Sequence, residues 1–283
     1  MTGAAIMSSD TREFQFTDGD FAFLRRIAYE HTGITLGDNK RQMVYGRLAR
    51  RIRQLGLGSF SDYCARVEND PESELGELVN AITTNLTAFF RENHHFEHLA
   101  DSALPGIMAR NSVTRRLRIW SAGCSTGEEP YSIAITLAES AALAGWDARI
   151  LATDIDSNVV AKASAGVYEL ERVRDMAEPR LRRWFRKGTG ANADKVRVAE
   201  SLRERIAFRQ LNLLGPWPMR GPFDIIFCRN VVIYFDKETQ RQLFARYADL
   251  LAPQGILYIG HSETLFKISD RFRPLGGTVY QKV

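Results

Sequence analysis

The feature that most constrains the fold is a change of texture at about Leu117. From there onward, short apolar runs alternate with segments of helical periodicity. The runs read LRIWSAG, ARILATDID, RIAFRQLNLL, FDIIFCRNVVIYF and QGILYIGHSE. This alternation is typical of βαβ units, in which helices cover both faces of a parallel sheet. Such sheets bind ligands beyond the carboxyl ends of their strands, so the residues after each run are the first candidates for a site.

The segment before this sheet indicates a separate helical domain. A chain of 283 residues exceeds the usual size of a single core, so two domains are expected. Helix start signals occur at Asp18 or Asp20 and at Ser59 or Ser61, with a stop at Gly33. We divide the chain into a flexible tail at 1–12, a helical domain at 13–80, a linker at 81–100 and an α/β domain at 101–283.

Composition and cysteine usage exclude several classes of protein. With 45% apolar and 25% charged residues, the chain is globular, and no apolar run approaches the roughly 20 residues that span a bilayer. The N-terminus lacks the basic and apolar regions of a secretory signal, so we expect a cytoplasmic protein. Cys64, Cys124 and Cys228 are far apart and odd in number, which argues against a disulfide framework and a zinc ribbon.

A cationic segment lies between Lys40 and Arg53, where six cations occur without an acid. At helical spacing, one stripe of this segment is apolar and can be buried, and it consists of Val44, Leu48, Ile52 and Leu55. The pattern predicts an exposed cationic surface on the rest of the helix, which comprises Arg47, Arg50 and Gln54, with Arg51 and Arg53 at its margins. This surface is either a solvated face or a docking site for an acidic partner.

A glycine-containing turn follows the first apolar run, in the sequence SAGCSTGEEPYSIAI. Gly123 and Gly127 bracket the turn, and Glu128, Glu129 and Pro130 begin a helix. Glycine allows the backbone to come close to a ligand. The two acids argue against a phosphate at this helix start and favour a cofactor with a positive centre.

Polar residues at the ends of the later runs indicate contacts to a nucleoside. Asp154 ends the second run, where a carboxylate can accept both hydroxyls of a ribose. The alternative is that Asp154 or Asp156 caps the helix beginning near Ser157, and Asp156 suits the cap better. Asn212 and Asn230 follow the next runs, and their amides suit the edge of an adenine.

These contacts, without contacts to phosphate, favour S-adenosylmethionine over NAD. Near the end of the chain, Gly276-Gly277 precedes an apolar segment and predicts a hairpin at the edge of the sheet.

The chain resembles the chemotaxis receptor glutamate methyltransferases, known as CheR, over nearly its whole length. The resemblance rests on TTNLTAFFRENHHF, WSAGCSTGEEPYSIAI, ATDID, NLL, FDIIFCRNVVIYF and GHSE, in that order. It implies an α/β fold: a Rossmann-like S-adenosylmethionine-dependent methyltransferase domain with an antiparallel edge strand. A small all-helical N-terminal domain precedes that domain. The long connection at 167–206 is expected to form a small inserted β-subdomain.

The resemblance also implies the site residues, and it makes the linker at 81–100 part of the active site. The implied cofactor-binding residues are Asn85, Thr87, Arg91, Glu129, Asp154, Asn212, Leu213, Asn230 and Val231. By our hypothesis Arg91 orients the cofactor or the substrate carboxylate, and Tyr234 shapes the methyl pocket. The implied product is S-adenosylhomocysteine.

Methyl transfer to a glutamate is an in-line displacement by a carboxylate that is already ionised at neutral pH. No general base is therefore required, and none of the histidines is assigned that role. His94 and His98 have the spacing of a metal pair, but no third ligand is evident and the reaction needs no metal. We therefore expect no metal.

The resemblance implies two surfaces for partners. The cationic helix, through Arg47, Arg50, Arg51 and Arg53, would meet the acidic cytoplasmic helices of a chemoreceptor, a methyl-accepting chemotaxis protein. In part of the family the inserted subdomain adds a tail peptide from the receptor's carboxyl end to its sheet, and the turn at Gly188 and Gly190 fits that subset.

Two rival functions remain open from the sequence. The first is a nucleic-acid methyltransferase, in which NVVIY would be a loose relative of an Asn-Pro-Pro-Tyr loop, although its prolines are missing. The second is an adaptor that binds the cofactor without catalysis. We favour a chemoreceptor partner, with no nucleic acid and no membrane insertion.

Overall fold

The computed structural model describes residues 13–283, so the tail expected at 1–12 lies outside the described residues. Within the described part, the chain divides into two compact units. One comprises residues 13–31 and 35–82, and the other comprises residues 32–34 and 83–283. No helix of the described residues is long and apolar enough to cross a bilayer.

The first unit is built from helices. They are α1 (Asp18–Thr32), α2 (Arg41–Gln54), α3 (Phe60–Asn69) and α4 (Pro71–Ile82). Their core includes the fully buried side chains of Leu24, Leu48, Ile52, Phe60 and Leu78. The all-helical N-terminal domain predicted from the sequence is therefore present.

Hydroxyl side chains cap two of the helix starts of this unit, those of α1 and α3. Ser59 caps α3, because its Oγ accepts the N–H of Asp62 at 3.1 Å. For α1, the prediction of Asp18 or Asp20 as the N-cap was wrong. Thr17 is the residue before the helix: its Oγ1 accepts the N–H of Asp20 at 3.1 Å, and Asp20 accepts the N–H of Thr17 at 2.8 Å. This reciprocal pair is a capping box, in which the acid lies inside the first turn.

The second unit alternates helices and strands. Its helices are α5 (His94–His98), α6 (Leu104–Arg110), α7 (Glu128–Glu139), α8 (Ser157–Ala165), α9 (Glu178–Trp184), α10 (Glu200–Arg203) and α11 (Lys237–Leu250), and a π-helical segment, Leu99–Ala103, joins α5 to α6. Its strands are β1 (Arg116–Ala122), β2 (Asp147–Asp154), β3 (Val167–Glu169), β4 (Phe185–Lys187), β5 (Lys195–Val198), β6 (Ile206–Gln210), β7 (Phe223–Cys228), β8 (Leu251–Ile259), β9 (Phe272–Gly276) and β10 (Val279–Lys282).

Seven strands form one sheet in the order β6-β2-β1-β7-β8-β10-β9. The first five are parallel, and β10 is antiparallel to both β8 and β9. The hairpin predicted at Gly276-Gly277 joins β9 to β10, and both glycines have positive φ. The strand order reverses between β1 and β7, so a ligand site is expected at the carboxyl ends of these strands.

Successive residues of the central strands contribute to different cores. Ile119 and Ile225 belong to the cluster that includes Ile133 of α7, whereas their neighbours Trp120 and Ile226 pack in a second cluster with the residues of α11. Because both faces are covered, the central strands are mostly apolar. Polar side chains therefore appear where the strands end.

A second, three-stranded antiparallel sheet has the order β3-β5-β4. All its strands lie in the long connection between α8 and β6. The predicted fold class, including this small β element and the antiparallel edge, is confirmed.

Candidate active site

The turn after β1 is a tight connection that excludes side chains. Gly123 and Gly127 both have φ of +97°, a conformation that favours glycine. A Cβ on Gly123 would lie 2.4 Å from Cγ2 of Val231, and one on Gly127 would lie 2.7 Å from the hydroxyl of Tyr168. The turn is fixed to β2, because the N–H groups of Gly123 and Cys124 donate to the Thr153 carbonyl at 2.8 and 2.9 Å. At these two glycine positions, the turn therefore offers only backbone atoms to a ligand.

Two carboxylates lie at the carboxyl end of β2 and make different contacts: Asp154 is the last residue of the strand, and Asp156 follows it. Asp154 Oδ2 accepts the N–H of Ser125 at 2.8 Å, and its Oδ1 accepts the N–H of Asp156 at 3.0 Å. Asp156 caps α8, because its Oδ1 accepts the N–H groups of Asn158 and Val159. The prediction that Asp156 is the cap is confirmed.

Asp154 and Asp156 are both buried, and neither forms an ion pair within residues 13–283. Burial raises the pKa of Asp154, while the backbone N–H donors oppose that effect. The end of β2 is thus a desolvated region with negative charge and no cation from the described chain. Such a region favours a ligand that brings hydroxyl donors or a positive charge.

The acids at the start of α7 are already paired, contrary to the expectation that they are open to a cationic ligand. Glu128 pairs with Arg172 and accepts the hydroxyl of Thr126 at 2.6 Å. Glu129 accepts the hydroxyl of Ser121 at 2.8 Å and lies 3.2 Å from Arg229 Nη1. Burial raises the pKa of Glu129, and Arg229 opposes that effect.

The segment before α5 brings several sequence-predicted residues together. Asn85 donates from Nδ2 to Asp156 at 2.7 Å, and its carbonyl accepts the hydroxyl of Ser125 at 3.0 Å. The carbonyl of Thr87 accepts from Arg172 Nη2 at 2.8 Å. Arg91 turns back on its own segment, because its Nη1 donates to the carbonyl of Leu86 at 2.8 Å. Arg91 is half-buried and makes no ion pair within the described residues.

A buried ion-pair cluster lies after β7, and sequence reasoning missed most of it. Arg229 Nη2 lies 3.3 Å from Glu92 Oε2 and also donates to the carbonyl of Arg91. Glu92 Oε1 lies 2.9 Å from His261 Nδ1. His261 and Arg229, together with the amide of Asn230, lower the pKa of Glu92 to about 2 against the effect of burial.

Glu263 connects the ends of β7 and β8 and was also missed. It accepts the N–H groups of Gly260 at 2.6 Å, Asn230 at 3.0 Å and Ile233 at 3.3 Å. Asn230 has φ of +59°, and these bonds stabilise that conformation. The signal available in the sequence was the GHSE segment, which begins directly after β8 and ends in this acid.

Three further predicted residues lie at the ends of the strands. Asn212 forms a turn after β6, because its Oδ1 accepts the N–H of Leu214 at 2.9 Å. Leu213 is buried, and its carbonyl accepts from Arg246 at 2.6 Å. Tyr234 is half-buried, and its hydroxyl makes no hydrogen bond within residues 13–283.

In the first unit, α2 buries Val44, Leu48 and Ile52 as predicted, whereas Leu55 is only half-buried. Arg51 is not a free surface cation: it makes two hydrogen bonds, at 3.0 and 3.1 Å, to the carboxylate of Glu74, whose side chain is 1% exposed.

Arg53, on the same helix, pairs with Glu13. Arg47 and Arg50 are exposed, and Arg47 Nη1 donates to the carbonyl of Ala81 at 3.1 Å. The predicted cationic surface is therefore partly neutralised by the chain's own acids.

The turn at Gly188 and Gly190 connects β4 to β5. A Cβ on Gly188 would lie 2.1 Å from the carbonyl oxygen of Asn192, and Gly190 has φ of +57°. Both positions therefore favour glycine.

The residues present fit S-adenosylmethionine better than a dinucleotide. Asp154 can accept ribose hydroxyls, and the amide groups after β6 and β7 can meet an adenine edge. The first turn of α7 carries two acids in place of free donors for a pyrophosphate, and the arginines beside them are already engaged by these acids. No group of three or more His, Cys, Asp or Glu that could hold a metal occurs in residues 13–283.

Comparison with known proteins gives matches along most of the chain. Residues 19–83 match the family model described as "CheR methyltransferase, all-alpha domain", and residues 85–281 match "CheR methyltransferase, SAM binding domain". Chemotaxis protein methyltransferase 2 of Pseudomonas aeruginosa is 51% identical, over 95% of this chain and 95% of that protein. The chemotaxis protein methyltransferase of Escherichia coli is 44% identical, over 98% of this chain and 95% of that protein.

Proposed function

The chain belongs to the CheR methyltransferase family, and we propose that it transfers a methyl group from S-adenosylmethionine to glutamate side chains of a chemoreceptor's cytoplasmic region. The products would be glutamate methyl esters and S-adenosylhomocysteine, and the reaction would serve sensory adaptation in the cytoplasm. Membership of the family establishes a chemotaxis methyltransferase with a domain that binds S-adenosylmethionine. The glutamate acceptor and the receptor are our proposal.

The observation that supports the proposal most is the buried carboxylate of Asp154 at the end of β2, which has no cation partner within residues 13–283. A ribose would donate hydrogen bonds from its hydroxyls to the Asp154 carboxylate. These would replace the hydrogen bonds to water that the carboxylate loses on burial. The cofactor would also bring a positive charge, which a site with buried carboxylates favours.

We assign the remaining cofactor contacts to residues around the same strand ends. These residues are Asn85, Thr87, Arg91, Glu129, Asn212, Leu213, Asn230 and Val231. The contacts that support this assignment link three of the segments: Asn85 bonds to Ser125 of the turn, and Arg229 joins Glu129 to the main chain of Arg91.

The cofactor would supply an activated methyl group, and the residues of the chain would hold the reacting groups in position. A glutamate acceptor is ionised at neutral pH, so no residue must remove a proton. Arg91 has no carboxylate partner within residues 13–283 and can turn its guanidinium to a substrate carboxylate. Tyr234 follows β7 and would shape the methyl pocket. Alignment of the reacting atoms in a site without water can lower the reaction barrier by several kcal/mol. For well-oriented reactants the range begins at about 7 kcal/mol.

We propose that the receptor docks on the exposed side of α2 through Arg47 and Arg50, with Arg51 and Arg53 in supporting positions. The exposure of Arg47 and Arg50 supports the first pair. The ion pairs of Arg51 with Glu74 and of Arg53 with Glu13 reduce the charge that the second pair can offer. Docking by exposed charges increases the association rate and is weakened by salt.

We propose further that residues 167–206 are an inserted subdomain that binds a receptor tail peptide beside β4, an edge strand of the small sheet. Two observations support this. The glycines at 188 and 190 keep the β4–β5 turn tight. A cavity of about 480 Å³ also lies beside β4 and β5. Its lining includes Arg186, Arg197 and residues 198–201. The arginines would attract the carboxylates of an acidic tail. Calorimetric titration with tail peptides of cognate receptors tests this, and absence of binding for every tail would contradict it.

The experiment that tests the function is incubation of the chain with S-adenosylmethionine labelled in its methyl group. One reaction contains receptor membranes and another contains nucleic acid. The proposal predicts label on receptor protein that alkali releases, as expected for an ester. Label on nucleic acid would support the rival methyltransferase, and binding of the cofactor without any transfer would support an adaptor.

A further inference from the structure

Arg229 occupies a central position, and the proposed function assigns it no role of its own. It follows β7, and its side chain is 2% exposed. One end of the guanidinium, Nη1, lies 3.2 Å from Glu129 Oε2. The other end, Nη2, donates to the carbonyl of Arg91 and lies 3.3 Å from Glu92 Oε2. The guanidinium also lies over the ring of Phe96, 5.5 Å from its centroid.

On one side, Arg229 contacts the carboxylate of Glu129, a residue assigned to the cofactor. Glu129 has its second oxygen on the hydroxyl of Ser121, at 2.8 Å. With Arg229 on one oxygen and Ser121 on the other, the carboxylate has a single orientation. A buried carboxylate that kept only the hydroxyl would lose the ion pair that offsets its desolvation.

The other side is the turn that presents Arg91. Phe90 and Glu92 flank Arg91, and both are non-glycine residues with positive φ, at 54° and 56°. Such conformations persist only when surrounding contacts stabilise them. Three contacts do so here: Phe90 N–H donates to Ser132 Oγ at 2.9 Å, and Arg229 binds the carbonyl of Arg91 and the carboxylate of Glu92.

We propose that Arg229 is a positioning residue for methyl transfer, which fixes the Glu129 carboxylate and the Arg91 turn in one geometry. This inference rests on the proposed function, because it takes Glu129 as a cofactor contact and Arg91 as a contact to cofactor or substrate. Arg229 acts through these residues and is not assigned a contact to the reacting atoms.

The guanidinium is suited to this role in a way that an ammonium is not. Its planar group directs several N–H donors in fixed directions, so Nη1 and Nη2 can serve Glu129 and the Arg91 turn at the same time. Lysine would keep the charge but offers one compact ammonium, which can favour only one side. Glutamine would leave Glu92 and Glu129 buried without their shared cation.

The test compares Arg229→Lys and Arg229→Gln with wild type, using the full chain. The control is Arg118→Gln, because Arg118 is also an ion-paired arginine of the central sheet, but it is half-buried and pairs with Asp147 at the first residue of β2. Three quantities are measured: the Kd of S-adenosylhomocysteine by calorimetry, kcat for receptor methylation, and KM for the receptor.

For Arg229→Gln we expect kcat to fall about 100-fold, as a displacement near 1 Å of a catalytic geometry can cause. The Kd should rise about 10-fold or more, in line with the loss of a hydrogen bond to a charged group. KM for the receptor should change less than kcat, since the docking residues on α2 are untouched and only the Arg91 turn is displaced. Arg229→Lys should lie between wild type and Arg229→Gln, and Arg118→Gln should match wild type. Unchanged kcat and Kd in Arg229→Gln would overturn the inference.

A second variant keeps the inference testable if Arg229→Gln does not fold. Glu92→Gln acts on the side of the Arg91 turn, where Glu92 also contacts His261 and Asn230, and leaves the pair of Arg229 with Glu129. It should lower kcat about 10-fold and raise the Kd of S-adenosylhomocysteine less than Arg229→Gln does, and equal kcat would contradict the positioning role. If wild type methylates no receptor, the proposed function fails, and the Kd values still decide whether Arg229 orients Glu129.

Discussion

Asn85 donates a hydrogen bond from its side-chain amide to Asp156 Oδ2 at 2.7 Å, so a residue assigned to the cofactor is fixed by the N-cap of α8. The same oxygen accepts the hydroxyl of Thr83 at 2.8 Å. One buried carboxylate thereby begins a helix and anchors the segment that leads to Arg91. Stability and cofactor binding are expected to depend on it together.

Asp156→Ala should lower the free energy of unfolding by about 3 kcal/mol, because it removes a helix cap and the carboxylate that accepts from Thr83 and Asn85. The affinity for S-adenosylhomocysteine should fall about 10-fold as Asn85 loses its position. Urea denaturation and calorimetry measure the two effects. Ser59→Ala is the matched control: it removes a cap in the other unit, and should cost about 1 kcal/mol with unchanged affinity. Full affinity in Asp156→Ala would show that Asn85 does not need this anchor.

Gly123→Ala should reduce both stability and cofactor affinity. The new Cβ would lie 2.4 Å from Val231 Cγ2, in a backbone with φ of +97°. We expect a loss of about 2 to 4 kcal/mol in the free energy of unfolding from strain and overpacking. Gly106→Ala is the control, since no atom lies within 4 Å of its new Cβ, and within helix α6 it should be neutral or stabilise by up to about 1 kcal/mol. Equal stability of the two variants would contradict the tight turn.

Substitutions on α2 should separate docking from folding. Arg47→Ala with Arg50→Ala should raise KM for the receptor about fivefold at low salt, and less at high salt, while Tm stays within a few degrees. Arg51→Ala should instead lower the free energy of unfolding by about 2 to 3 kcal/mol, because buried Glu74 loses two hydrogen bonds. Arg241→Ala, a surface arginine on α11, serves as the control for general charge. Unaltered KM in the double variant would remove this helix from the docking proposal.

Acid should destabilise the folded chain through His95, which is fully buried. Burial lowers the pKa of His95 to about 4 from 6.5, with Arg229 and His94 acting in the same direction and Glu92 opposing them. The unfolded chain takes up a proton below pH 6.5 and the folded chain does not, so stability present above pH 6.5 is lost as the pH falls to about 4. The loss reaches about 3 kcal/mol.

His95→Gln retains an amide donor for the Gly277 carbonyl, which His95 Nε2 contacts at 2.9 Å. Between pH 7 and pH 4.5, the free energy of unfolding of this variant should fall by about 2 kcal/mol less than that of wild type. Urea titrations at a series of pH values measure the slope. An equally steep slope in the variant would assign the acid sensitivity to other groups.

The sequence predicted those parts of the fold that local rules determine. Three features specify structure through residues that are close in the chain. They are the apolar runs of strand length, the two acids at the end of β2 and the Gly276-Gly277 pair. The cap at Asp156 and the β9–β10 hairpin were therefore predicted correctly. The capping box of α1 was missed because threonine and aspartate both suit a cap, and only the backbone shows which one precedes the helix.

The electrostatic arrangement could not be predicted in this way. Arg229 meets Glu92 and Glu129 from positions more than 90 residues away in the chain, and their spacing in the sequence carries no sign of the contact. Arg51 similarly looked like a surface cation because Glu74 lies on a different helix. Partners of this kind follow from tertiary packing, which a periodic pattern does not encode.

The most direct test of the central claim is peptide mass spectrometry of a receptor cytoplasmic fragment after incubation with the chain and S-adenosylmethionine. The account predicts a gain of one methyl group on glutamate residues, its loss after mild alkaline treatment, and an absence of both when Arg91→Ala replaces wild type. Methyl groups found on nitrogen, a receptor fragment that gains no methyl group, or a fully active Arg91→Ala variant would contradict it.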